Sequence, residues 1–257
     1  MSSFLSDSNQ NQPAKKNTII QNQNNEPNTQ IKSKETTAYL VKASFMITYI
    51  LLLTTATVTF IEAMRTENPL VRHIFNLETC ISLVASYFYY VFVSQLDAFE
   101  KENKPIDWAN MTKTRYIDWA ITTPFMLLVL CAFLANESKT TVHLSTVSII
   151  AILNYIMLYV GYLGETGELD RMTACIGGFV PFVGLFYLIY SSFIVPGEAF
   201  NKYFLFPLYV FFWAGYGFVY LLGEAYKNIA MNLLDCISKC LIGIALWLYY
   251  TNIIPAL

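Results

Sequence analysis

The stretch NIAMNLLDCISKCLIGIALWLYYTN, residues 228–252, decides how the chain folds. Its apolar run reaches the ~20 residues that a helix needs to cross a bilayer. A lone strand is excluded there, because backbone in hydrocarbon must satisfy its polar groups within the segment. Two ionisable residues, Asp235 and Lys239, interrupt the run four positions apart and so share one helical face. Opposite charges can lie in a membrane helix merely to neutralise each other. A lysine so placed can also condense with an aldehyde, and the resulting cation needs a fixed anion nearby to keep its charge in a low dielectric.

Six more apolar stretches precede it, near residues 39–64, 70–95, 112–135, 142–163, 171–195 and 201–223. The links are short, as from Arg65 to Pro69 and from Asn136 to Thr141. The longest, Asp97 to Thr112, is charged and has room for a small hairpin or helix of its own. Of the 257 residues, 55% are hydrophobic and only 13% charged, against roughly 25% charged in a soluble domain. The expected fold is all-α, a seven-transmembrane-helix bundle forming one lipid-embedded domain over residues 38–257. Residues 1–37 are rich in Asn, Gln, Ser, Thr and Lys and lack the apolar core of a signal peptide. They are expected to form a disordered polar tail, leaving the first span as the insertion signal.

A net charge of −2 gives no reason to invoke nucleic acid. Lys and Arg are scattered over both sets of loops, so charge does not fix orientation. The five cysteines, Cys80, Cys131, Cys175, Cys236 and Cys240, all lie in apolar stretches without a His at ligand spacing. They read as small core residues. No metal site and no enzymatic catalytic group is expected.

Ionisable groups inside a membrane bundle are costly and usually functional. Glu78, Arg115, Asp118, Asp235 and Lys239 stand out. Snorkelling does not excuse Asp118 or Lys239, each followed by more than ten apolar residues. In the third span, RYIDWAITTP at 115–124 puts Arg115, Asp118 and Thr122 on one face at i, i+3 and i+7. Two carboxylates would then meet one lysine-derived cation and one arginine, a set that is neutral overall, as burial demands. Moving a proton from the cation to Asp118 would upset that balance.

RYIDWAITTP and LDCISK (234–239) together resemble the third-helix signature and the pigment-lysine helix of the microbial (type I) rhodopsins. MLYVGYLGETG at 157–167 is similar to the fourth helix of their proteorhodopsin-like branch. The likeness covers residues 39–252. It implies all-trans retinal bound covalently to Lys239 as a Schiff base, with Asp118 and Asp235 as counterions and Asp118 as proton acceptor. Arg115 would sit on the extracellular side of them, and Thr122 would hydrogen-bond Asp118. Trp119 and Trp213 would sandwich the polyene; Thr123, Met126, Met157, Gly161 and Tyr216 would complete the pocket. Ordinary helix packing is the plainer account of Trp119, Trp213 and Tyr216 taken singly, since 16% of the chain is aromatic. The resemblance also implies an extracellular N-terminus and a cytoplasmic C-terminus in a multi-pass membrane protein, and it allows for a homo-oligomer.

The chain departs from the family pattern in telling places. Val129 stands where outward proton pumps usually carry a proton-donating carboxylate. Gly217 replaces a proline after Tyr216, and Tyr220 replaces a second tryptophan. Gly178 stands where some members carry a tryptophan, which leaves room for a carotenoid antenna at the ring. Three light-driven functions follow from the resemblance. A light-gated cation channel, as in one group of viral rhodopsins, is favoured: Glu78, Ser44, Asn228 and Asn232, with Lys42 near the end of the first span, offer a wettable path, and a carboxylate in such a path favours cations. GEAYKNIAMNLLD at 223–235 resembles that group. An outward proton pump is the alternative, with Glu78 standing in for the absent donor. A sensory rhodopsin comes third, because the chain stops soon after its seventh span.

Overall fold

The computed structural model describes the backbone of residues 14–194 and 200–251 and the side chains of 36–194 and 205–251. The chain divides into Met1–Leu40 and Val41–Leu257. The tail expected over 1–37 falls in the first unit, almost wholly outside the residues whose side chains are described. The second unit is the bundle.

Among the described residues every regular element is helical. The helices are α1 (Ala14–Arg65), α2 (Pro69–Lys101), α3 (Trp108–Ser138), α4 (Leu144–Glu165), α5 (Arg171–Phe193), α6 (Phe200–Val219) and α7 (Glu224–Tyr250). Six carry spans long and apolar enough to cross a membrane, and α6 adds the shorter apolar stretch Leu205–Val219. The starts follow from local chemistry. Asn68 caps α2 by accepting from Leu70 N at 3.0 Å, with Pro69 occupying the first turn, where its missing N–H costs nothing. Asp107 and Asp170 cap α3 and α5 through Asn110 N and Thr173 N, each at 3.0 Å. Gly167, at φ 80°, makes the turn after α4.

The charged link between α2 and α3 is shorter than expected and holds no separate hairpin or helix. α2 continues to Lys101 and α3 begins at Trp108. Asp97 and Glu100 remain helical because both pair with Lys42 at 2.6 Å, which lets the last turns of α2 stay ordered at the polar boundary. Lys42 is thereby committed to the helix end and does not face a path.

One core packs Leu127, Leu130 and Leu134 of α3 with Leu185 and Ile189 of α5 and Trp213 of α6. A second joins Phe45 and Leu52 of α1 to Ala85, Tyr89 and Phe92 of α2 and Cys240 of α7. Between these two cores lies Lys239. There α7 changes winding: Cys236–Leu241 is a π-helical segment set between α-helical turns. Such single-turn expansions recur at functional sites, because they displace a side chain from ordinary helical register.

Candidate functional site

Lys239 is 1% exposed, and its Nζ lies 3.0 Å from Asp118 Oδ2 and 3.3 Å from Asp235 Oδ2. Both carboxylates are fully buried, and Arg115 is 2% exposed. Arg115 Nη1 stands 3.7 Å from Asp235 Oδ2. The four groups predicted to form a neutral set therefore meet, on α3 and α7.

The two carboxylates differ in company. Tyr216 Oη donates to Asp235 Oδ1 at 2.5 Å, and Tyr89 Oη donates to Asp235 Oδ2 at 2.7 Å. Asp118 accepts from Lys239, while the Thr122 hydroxyl bonds the Asp118 main-chain oxygen at 2.9 Å and reaches the carboxylate only at 3.4 Å. Asp118 thus keeps more free acceptor capacity than Asp235.

On the N-terminal side of Lys239 along α7, the polar groups are locked together. Arg115 Nη2 donates to Asn232 Oδ1 at 2.8 Å and to Asn228 Oδ1 at 3.0 Å. Asn232 Nδ2 donates to Ser44 Oγ at 2.8 Å. The guanidinium also sits over the rings of Phe92 and Phe45, at 5.1 and 5.3 Å from their centroids. Asn228, Asn232 and Ser44, expected to line a wettable path, come together here as the partners that hold Arg115 or each other.

Glu78 lies on the other side. It is 2% exposed, and a Cβ added to Gly243 would come within 3.1 Å of its Oε2 and 2.9 Å of Thr55 Cγ2. Among the described residues Glu78 makes no hydrogen bond and no ion pair. The Ser82 hydroxyl, one turn along α2, is likewise unpaired among them. Glu78 is thus separate from the Ser44–Asn232 group.

A cavity runs up to Lys239. Trp119, Thr123, Met126, Met157, Gly161, Trp213 and Tyr216, all named from the sequence, line it with Lys239 itself. Gly161 is needed for its shape, since a Cβ there would stand 2.9 Å from Tyr116 Oη. At Gly178 a Cβ would find nothing nearer than Met157 O at 3.8 Å, so that wall is open. The Trp213 indole N–H is buried with no partner among the described residues.

Sequence reasoning missed several members. Tyr89 is one of 18 tyrosines, and nothing local marks it as the donor to Asp235. Ser238, 3.0 Å from Tyr216 Oη, lay within a quoted motif and was passed over. Asn154 of α4 donates to Thr123 Oγ1 at 2.8 Å; a buried Asn in an otherwise apolar span was the available signal.

The pattern of the family described as "Bacteriorhodopsin-like protein" matches residues 39–253. The solved viral rhodopsin OLPVRII is 42% identical, with a TM-score of 0.76 over 83% of this chain and 99% of that one. Xanthorhodopsin, described as a light-driven ion pump with dual chromophore, shares the fold at a TM-score of 0.67 and 16% identity, over 82% of this chain and 92% of that one. A green-light absorbing proteorhodopsin from the gamma-proteobacterium EBAC31A08 is 31% identical over an alignment 157 positions long that covers 53% of this chain and 60% of that relative's length.

Proposed function

Because the chain belongs to the bacteriorhodopsin-like family, we propose that it is a light-gated cation channel with retinal carried on Lys239. Members of this family bind retinal covalently as a Schiff base on a lysine. The cavity suits that group in its lining, which is mostly apolar and aromatic with a few polar groups placed among them. Its aromatic walls end at an amine, the group that condenses with an aldehyde. Bound there, retinal would supply a light-absorbing cation and a light-driven change of shape.

The chain's own residues do the rest. Asp118 and Asp235, at 3.0 and 3.3 Å from Lys239 Nζ, hold the positive charge in place. Asp235 is occupied by Tyr89 and Tyr216 and backed by Arg115, so Asp118 is the carboxylate with room for a proton. Transfer of the proton from Lys239 to Asp118 would neutralise both, leaving Arg115 and Asp235 as the remaining ion pair and drawing Arg115 toward Asp235 against its bonds to Asn228 and Asn232. With the N-terminus outside, that network faces the exterior and Glu78 faces the cytoplasm. The tail over 1–37 then lies outside the retinal-binding domain of 38–257.

The observation that carries the channel reading is a seam along α1, α2 and α7 that is polar at both ends and interrupted once. Ser44, Thr48 and Asn232 form one end, and Thr55, Glu78 and Ser82 belong to the other. Leu52, Ala85 and Cys240 pack in the core between them. A short apolar constriction flanked by polar steps is what a gate requires, and Glu78 favours cations within it. Whole-cell recording under illumination tests this: current should reverse with the imposed cation gradient. Outward current that ignores the gradient would establish the second reading, a proton pump. That reading is favoured by unpaired Glu78 alone, since Val129, buried in apolar packing on α3, cannot donate a proton.

A further inference from the structure

Part of the cavity wall is backed by charge rather than by apolar packing. Gly161, Ala174 and Met231 line the cavity, and each has a charged residue one helical turn beyond it, Glu165, Arg171 and Lys227; Tyr220 also lines it, just past α6, and Glu224 opens α7 four residues on. These four interlock. Lys227 Nζ donates to Glu165 Oε2 at 2.7 Å, Glu165 Oε1 at 3.0 Å and Glu224 Oε1 at 2.9 Å. Arg171 Nη2 donates to Glu165 Oε2 at 3.1 Å and Glu224 Oε1 at 3.0 Å. Two cations and two anions cancel, and the set ties α4, α5 and α7 together.

The four side chains are graded by depth. Those of Lys227 and Glu165 are only 2% and 4% exposed, whereas those of Arg171 and Glu224 are 36% and 31% exposed. Tyr220 joins the set to the cavity: its ring lies 5.8 Å beneath the Arg171 guanidinium, and its hydroxyl donates to Gly161 O at 3.0 Å. Glycine at 164 leaves it that space, since a Cβ would stand 2.1 Å from Tyr220 Oη. None of the four touches Lys239, Asp118 or Asp235, so the charge balance around the pigment lysine does not require them.

We propose that Glu165, Arg171, Glu224 and Lys227 form an ionic cap that keeps water and water-borne nucleophiles out of the cavity that leads to Lys239. The inference rests on Lys239 being the attachment site. The inner pair is expensive to break, because a buried charge left alone must be rehydrated, and that draws water through the cap. Arg171 already meets solvent and can exchange partners for water at little cost, while Glu224 keeps one carboxylate oxygen buried and unpartnered among the described residues. A cap of this kind is tight at rest yet able to part when α4, α5 or α7 shifts.

The test uses the full chain reconstituted with retinal and kept in the dark with hydroxylamine, which releases the pigment as its oxime and bleaches the visible band. Lys227→Met leaves Glu165 with Arg171 as its one remaining ionic partner among the described residues and is expected to speed dark bleaching about tenfold while the absorption maximum stays in place. Lys227→Arg keeps a cation between Glu165 and Glu224 and should keep the slow rate. Arg171→Gln, at a half-exposed position, should give a smaller acceleration and serves if Lys227→Met does not fold. Unchanged bleaching in Lys227→Met, or an equal acceleration in Lys227→Arg, overturns the cap. If the wild-type chain forms no visible band, the assignment of Lys239 fails instead. The cap is then read without pigment, from amide hydrogen exchange over 161–165 and 227–231. Faster exchange in Lys227→Met supports it and equal exchange overturns it.

Discussion

On the N-terminal side of Lys239, Asn232 alone engages three other helices, through Ser44 on α1, Tyr89 on α2 and Arg115 on α3. On the C-terminal side Glu78 is as deeply buried and, among the described residues, engages none. A buried network whose donors and acceptors are all used resists rearrangement, because each broken bond strands a polar group in low dielectric. A lone buried carboxyl has nothing to lose and can gain a proton, a water or a cation. One side of the lysine is therefore built to hold, and the other to receive.

Lys239 is the boundary between the two regions, and removing it gives the largest effect. Lys239→Ala should abolish visible absorbance after retinal is added, and a coloured variant would move the attachment elsewhere. Asp118→Asn comes next. It removes the anion nearest Lys239 Nζ, at 3.0 Å, and should shift the absorption band to the red. An unmoved band would make Asp235 the dominant counterion and shift the weight of the pairing wholly onto the held side.

Asn232→Ala attacks the held side directly. It strands one Arg115 N–H and removes a donor from Ser44 Oγ, which keeps its own bond to Val41 O, and should cost about 1–3 kcal/mol of stability, measurable as a lowered unfolding midpoint in detergent. It should also increase current in the dark, since α1 and α7 then lose the bond from Asn232 to Ser44 and keep those of Thr48 with Asn232 O and Cys236 Sγ. Unchanged stability together with unchanged dark current would mean that the network is incidental to closure.

Much of this contrast was legible before any coordinates. Length and apolarity of the seven stretches report directly on the bilayer. Spacing on one helix placed Asp235 beneath Lys239 and grouped Arg115, Asp118 and Thr122, because 3.6-residue periodicity maps sequence onto a face. What stayed hidden depends on neighbours from other helices. Asn228 and Asn232 read as polar lining, and only the position of Arg115 turns them into its partners. Tyr89 had no local mark. The π-helical segment at Cys236–Leu241 contains neither Gly nor Pro, so nothing in its composition announces the change of winding. Glu165, Arg171, Glu224 and Lys227 stand at helix ends, where charge is ordinary, and their burial against one another arises only in the fold.

The receiving side is probed by Glu78→Gln, for which the smallest structural effect and the most specific functional one are expected. The substitution keeps the volume and removes the charge. No hydrogen bond among the described residues is lost, so stability should change by less than about 1 kcal/mol. The absorption band should not move, because Glu78 lies beyond Gly243, one turn past Lys239. If cations pass through the seam, neutralising its buried carboxyl should lower the preference for cations and shift the photocurrent reversal potential toward that of the counter-anion. If Glu78 instead returns protons to Lys239, reversal should stay put and recovery of the dark band after a flash should slow. Both readings need Glu78 to be reached from Lys239 once the held side lets go. A variant that left selectivity and recovery alike unchanged would show that the unpaired carboxyl is no way-station, and the contrast between the two sides would then be one of packing alone.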